Sequence, residues 1–319
     1  MVSDPVFRPF LARGWHDWHG HNHLGWVGPL FWPYAYGDFF YYALWPDEYE
    51  YSDPFWAYGY DDVYQAIFPP YTYDQYVGGP GASTRMRELT QSVAQSCVDE
   101  AAEVTGWPIN DIADAVQPDQ QQSALLDDLG NSIVQASDVI KAHCPTSVAF
   151  TPTGRLDDMH ERLDGLLQAV NIVLPPLGRF YDSLSDDQKA RFNSIGANQG
   201  RRARPTNAAN PTAECGANIL AWPNEQIDRI VRPDDAQRAR LEALQSAAAQ
   251  AADMIRAACP SQIPATPPGR LEVVGNRLQA MLQAVETVRP ALSDFYAALN
   301  DDQKARFNTM GQQLFAQNR

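Results

Sequence analysis

Shifting the chain against itself by 115 residues brings two long stretches into ungapped register, and no other feature restricts the fold as much. LSDDQKARFN at 184–193 falls on LNDDQKARFN at 299–308, identical at nine positions in ten. In the same register Trp107-Pro108 meets Trp222-Pro223, Pro118-Asp119 meets Pro233-Asp234, and Gly154-Arg155-Leu156 meets Gly269-Arg270-Leu271. The duplication runs from Trp107 to Gly196 and from Trp222 to Gly311. Solenoid units are roughly 20–50 residues long, so this is a domain-sized repeat.

Helix punctuation recurs in both copies. Ser185 with Gln188 has the spacing of a capping box, and Asn300 with Gln303 keeps it with a different cap residue. Asp186-Asp187 and Asp301-Asp302 then lie in a first helical turn, where carboxylates complement the helix dipole. Gly196 and Gly311 are the expected ends of these short helices. Asp119 with Gln122 and Asp234 with Gln237 open a long helix that stops at Cys144-Pro145 and Cys259-Pro260, and Thr151-Pro152 and Thr266-Pro267 open another.

That last helix carries a seam stepping alternately by three and four. Leu156, Met159, Leu163, Leu166, Val170, Val173, Leu177, Phe180 and Leu184 form it in the first copy. Leu271, Val274, Leu278, Met281, Val285, Val288, Leu292, Phe295 and Leu299 form it in the second. Such spacing predicts coiled-coil-like packing, with kinks at Pro175-Pro176 and Pro290. Each repeat reads as a Cys-bearing leading helix, a short turn after Trp-Pro, two long antiparallel helices and a short capped helix. The fold class is therefore all-α: two tandem helical-bundle or hairpin repeats behind an aromatic-rich, largely irregular N-terminal segment. The divisions are 1–82 for that segment, 83–196 for repeat 1, 197–210 for a linker and 211–319 for repeat 2.

Leu184, Ser185 and Gln188, following a long helix and preceding Lys-Ala-Arg-Phe, resemble the LTXXQ-motif proteins of the bacterial periplasm, the stress-protein group of Spy, CpxP and ZraP. The likeness covers both repeats and is greatest to tandem, cysteine-containing members of alphaproteobacterial type. Leu299, Asn300 and Gln303 carry the second motif, with Asn300 where the family has Thr or Ser. The resemblance implies a non-enzymatic envelope protein of chaperone or stress type that engages unfolded clients or protein partners.

Composition agrees with that compartment and narrows the partners. The formal charge of -15 argues against a nucleic-acid binder, which needs a basic face. Residues 1–84 carry 2 Lys and Arg against 10 Asp and Glu, residues 85–200 carry 8 against 17, and residues 201–319 carry 14 against 12. Two cysteines fall in each repeat, Cys97 with Cys144 and Cys215 with Cys259. That distribution is read as one intradomain disulfide per repeat, with four buried thiols as the other reading. Disulfides imply an oxidising compartment. MVSDPVFRPF lacks the pattern of a secretory signal, so the expected precursor begins upstream of it.

Candidate chemistry is sparse. His16, His19, His21 and His23 could hold Zn²⁺, Ni²⁺ or Cu²⁺ with Asp17, or form a solvated polar turn. No other cofactor is expected. Of the 35 aromatic residues, 25 precede Gly78, a composition suited to a strap stacked on the bundle, to protein contact, or to peripheral association with a membrane surface. No G-x-S-x-G, Walker loop, H-E-x-x-H or dinucleotide turn occurs, so the expectation is that the chain is not an enzyme. Arg155, Arg270, Arg191 and Arg306 are candidate client contacts, the alternative being ordinary surface salt bridges. The sequence leaves the oligomeric state open.

Overall fold

The computed structural model describes residues 81–199, 222–262 and 264–317, together with 15–16, 22–23, 43 and 66–68. A two-residue ladder pairs β1 (Trp15–His16) antiparallel with β2 (Asn22–His23). Among the described residues from 82 onward, every regular element is helical. Repeat 1 comprises α1 (Ala82–Glu103), α2 (Ile109–Val116), α3 (Gln120–Ala142), α4 (Pro152–Ser183) and α5 (Asp186–Gln199). Repeat 2 comprises α6 (Asn224–Val231), α7 (Asp235–Ala257), α8 (Pro267–Ala298) and α9 (Asp301–Gln317).

Local sequence sets most of these limits. Asp119 and Asp234 accept from the backbone N–H of Gln122 and Gln237, whose side chains reach back to the cap amide, so both expected capping boxes form. Thr151 and Thr266 cap α4 and α8 ahead of a proline in the first turn. Both long helices run through Pro175-Pro176 and Pro290 without ending.

Two boundaries differ from the sequence expectation. The stretch after Trp-Pro is an eight-residue helix rather than a turn, because Ile112 and Val116, or Ile227 and Val231, give it a buried stripe. It stops where Gln117 (φ 50°) and Arg232 (φ 55°) go left-handed, since the following Pro118 and Pro233 disfavour a helical conformation there. The short helices α5 and α9 pass Gly196 and Gly311 and end at Gln199 and Gln317. Glycine weakens a helix interior by only about 1 kcal/mol, which does not stop one already capped and packed.

All nine seam residues of each long helix are buried. Burying each is worth roughly 1.5–3 kcal/mol relative to exposure, so this face dominates the stability of the bundle. Within a repeat, α3 packs on α4 and α7 on α8; between repeats, α4 packs on α8. Asp157 meets Arg289 (Oδ1 to Nε 2.8 Å), His160 meets Glu286 (3.4 Å) and Gly275 lies under Val170. Those pairings make α4 and α8 antiparallel, crossing near Leu166 and Met281, which are equivalent under the 115-residue shift. The two repeats thus share one core about a pseudo-two-fold axis, the arrangement of an isologous dimer made within one chain.

The leading helix is fixed to repeat 1 by a disulfide between Cys97 and Cys144 and by the Ser137 hydroxyl donating to Ala101 O (2.7 Å). Closing a loop of that length is worth about 4 kcal/mol in the chain-entropy account.

Candidate functional site

The repeated decapeptide sits where four chain segments converge. In repeat 1 the Gln188 side chain lies against that of Gln122, each amide donating to the other's oxygen at 2.8 to 2.9 Å. Gln188 Oε1 also accepts from Ser185 N (2.9 Å), and Gln122 Oε1 from Asp119 N (3.0 Å). The remaining donors go to Ser183 O (2.9 Å, from Gln122) and Val116 O (3.4 Å, from Gln188). Each side-chain amide thereby uses two donors and two acceptors, its full capacity. Repeat 2 reproduces the clasp with Gln303, Gln237, Asn300 and Asp234, the outward donors going to Ala298 O (2.8 Å) and Arg232 O (3.2 Å). Two capping boxes are thus locked together, joining the end of α2, the start of α3, the end of α4 and the start of α5. A generic capping box tolerates Glu in place of Gln. This one does not, since a carboxylate has no N–H to give.

The other motif positions each hold a neighbour. Leu184 and Leu299 close the buried seam. Lys189 and Lys304 sit over the rings of Tyr181 and Tyr296, 5.4 and 5.6 Å from the centroids. Phe192 packs edge-on against Phe180, and Phe307 against Phe295. Asn193 and Asn308 donate to the hydroxyls of Tyr181 (3.0 Å) and Tyr296 (3.1 Å). Arg191 and Arg306 donate to Val116 O (3.1 Å) and Val231 O (3.4 Å), so their guanidinium groups stitch the short helices to α2 and α6. The acidic pairs Asp186-Asp187 and Asp301-Asp302 lie in the first turns of α5 and α9, as expected of dipole partners.

Arg155 and Arg270 are not surface residues. They are buried to 2% and 4% exposure at the start of α4 and α8. Arg155 Nε donates to Ala66 O (2.6 Å), Nη2 to Ile67 O (3.2 Å) and Nη1 to Phe150 O. Arg270 Nε donates to Ala43 O (2.8 Å) and Nη1 to Ala265 O (2.7 Å). The sequence reading of them as client contacts is corrected on this point: carbonyls of the chain's own N-terminal segment occupy the forks. Ala43, Ala66, Ile67 and Phe68 are fully buried. Phe68 lies edge-on to Trp222 (5.3 Å) and Phe307 (5.4 Å), which belong to repeat 2.

Behind Arg155, burial raises the Asp158 carboxyl above its ordinary 3.8, with the Arg162 guanidinium opposing the shift. Arg162 is itself buried. Val273 stands at the equivalent place in repeat 2, so the second copy has no carboxyl to desolvate.

The second cysteine pair is observed at one end: Cys259 is disulfide-bonded, while Cys215 lies outside the described residues. Of the histidine cluster, the ladder sets His16 opposite Asn22 and His23 opposite Trp15, and His19 and His21 lie outside the described residues. Among the described residues no group of three His, Cys, Asp or Glu side chains is placed to hold a metal ion. No described helix is long and apolar enough to cross a membrane.

The model of the LTXXQ motif family protein matches residues 104–196 and again 219–311, intervals offset by the same 115 residues. The chain belongs to the LTXXQ motif family. Its two family units meet along α4 and α8, and the glutamine that gives the motif its last letter is Gln188 in one unit and Gln303 in the other, the centre of each clasp. Comparison with curated proteins and with solved structures finds no match.

The sequence reading found Gln122 and Gln237 as caps but missed them as partners of the LTXXQ glutamine. The signal was present, since both pairs recur in both repeats. A strap stacked on the bundle is one sequence reading of the N-terminal segment, but it does not single out residues 43 and 66–68 as points of contact.

Proposed function

We propose that this tandem LTXXQ protein is a non-enzymatic periplasmic binding protein of chaperone or envelope-stress type. The observation that carries the reading is the double family match over both repeats. The disulfide between Cys97 and Cys144 supports an oxidising compartment. Client capture would draw on helical surface outside the clasps, because every clasp donor is already engaged. The test is suppression of heat-induced aggregation of several unrelated proteins at substoichiometric to equimolar ratios without ATP. Protection of all of them supports the reading. Failure against every client, together with co-purification of one stoichiometric partner from an envelope extract, would replace it with that of a docking subunit.

The histidine cluster is proposed as a secondary metal site for Zn²⁺, Ni²⁺ or Cu²⁺. Calorimetric titration of the full chain with Zn²⁺ tests it, with substitution of His16, His19, His21 and His23 expected to abolish the heat.

A further inference from the structure

The N-terminal segment meets the bundle at two places that are equivalent on both sides of the contact. On the bundle side, Arg155 and Arg270 are related by the 115-residue shift, and the Nε of each donates to the carbonyl of an alanine, Ala66 or Ala43. On the segment side, the sequence around those alanines repeats. DFFYYALWP at 38–46 and DDVYQAIFP at 61–69 share the pattern Asp, any residue, apolar, Tyr, any residue, Ala, aliphatic, aromatic, Pro. A receptor duplicated with its repeat has been matched by a duplicated short motif.

Each described position has a physical reason. An alanine lets the guanidinium approach its carbonyl closely, and Nη2 of Arg155 reaches the next carbonyl as well. The aromatic residue supplies apolar area: Phe68 is fully buried against Trp222 and Phe307. The proline that follows in both sequences has no N–H to donate. The Arg155 site is composite. Its guanidinium comes from repeat 1 and its aromatic floor from repeat 2, because the antiparallel crossing sets the start of α4 beside the end of α8. Under the 115-residue shift Trp107 and Phe192, both buried, are the counterparts of Trp222 and Phe307, and the Arg270 site is expected to draw on them.

We propose that the tandem bundle carries two equivalent peptide sockets, centred on Arg155 and Arg270, that recognise the Tyr-x-Ala-aliphatic-aromatic-Pro motif, and that residues 38–46 and 61–69 of the same chain are their tethered ligands. This goes beyond the chaperone reading and does not depend on it. The tether gives each ligand an effective concentration on the order of millimolar, so a free peptide competes only when the tethered copy is weakened.

The test uses the full chain and a fluorescein-labelled DDVYQAIFP peptide followed by anisotropy. A Phe68→Ala chain should bind the peptide saturably and at least about tenfold more tightly than the wild type, whose socket is filled. Adding Arg155→Ala should remove that binding while the helical circular dichroism signal persists. The peptide carrying alanine in place of its phenylalanine should not bind. Equal binding of both peptides, or no binding to a Phe68→Ala chain that retains its helical signal, overturns the proposal. Should Phe68→Ala not fold, a specific protease site placed at 75–78 and cut after folding gives a second measurement. The released segment should stay bound and be displaced by excess DDVYQAIFP, and failure of the peptide to displace it overturns the proposal. An Arg155-dependent dimer of the wild-type chain in sedimentation would also overturn the tethered assignment, in favour of exchange between copies.

Discussion

Gln188 shows why a motif can be legible as a helix cap and still hide what it does. Spacing alone reveals that a glutamine three residues after Ser185 can reach back to the cap amide. That its N–H groups are spent on Gln122 and Val116, distant in the chain, cannot be seen without the fold. Gln188→Glu should therefore destabilise by about 1–3 kcal/mol through unmade hydrogen bonds. Ser185→Thr should be near neutral. Urea denaturation followed by circular dichroism distinguishes the two. Gly165 is a second residue whose need was hidden: a Cβ there would lie 2.7 Å from His143 Cγ, whereas repeat 2 places Ala280 and Ala258 at the same two positions. Gly165→Ala should cost about 1–3 kcal/mol as overpacking, and His143→Ala in the same chain should recover most of it. Asp158 makes a pH prediction. Burial raises its carboxyl above 3.8, so the stability that the neutral form contributes is complete below that value and is lost as pH rises through the raised one. Asp158→Asn should raise the melting temperature at pH 7 and leave it unchanged below pH 3.8. A gain that persists in acid would contradict the assignment.

Among the elements, α4 and α8 were the most legible, since the alternating seam, the Thr-Pro start and the Leu-Ser or Leu-Asn end are all local signals. What the seam could not reveal was its second partner. An apolar stripe states which face is buried but not against what, and α4 lies against both α3 and α8. The short helix α2 was missed because eight residues are too few for periodicity to outweigh the Trp-Pro and Gln-Pro punctuation on either side. The contact between α4 and α8 depends on backbone approach rather than on its ion pairs. A Cβ at Gly275 would stand 3.2 Å from Val170 Cγ1, so Gly275→Leu should force the helices apart and destabilise by about 1–3 kcal/mol. Asp157→Asn, which removes the half-exposed pair with Arg289, should cost less than about 1 kcal/mol. Thermal denaturation of the two variants side by side reads the contrast.

At the scale of the whole molecule, two copies of one sequence close against each other and bury their seams in a common core. The full chain is expected to melt in a single transition. Residues 83–196 expressed alone would expose the α4 face that α8 now covers, and they should dimerise by repeating the same crossing, which sedimentation equilibrium would detect. Covalent linkage has a consequence that such a dimer could never share. In a homodimer every substitution appears twice and the two halves stay electrically identical. Here repeat 1, residues 83–196, holds 8 Lys and Arg against 17 Asp and Glu, while repeat 2, residues 211–319, holds 11 against 12. Under a nearly two-fold backbone the charge is unequal, with one strongly acidic repeat and one nearly neutral repeat. A cationic surface should therefore draw the protein by repeat 1, and leave repeat 2 facing the solvent.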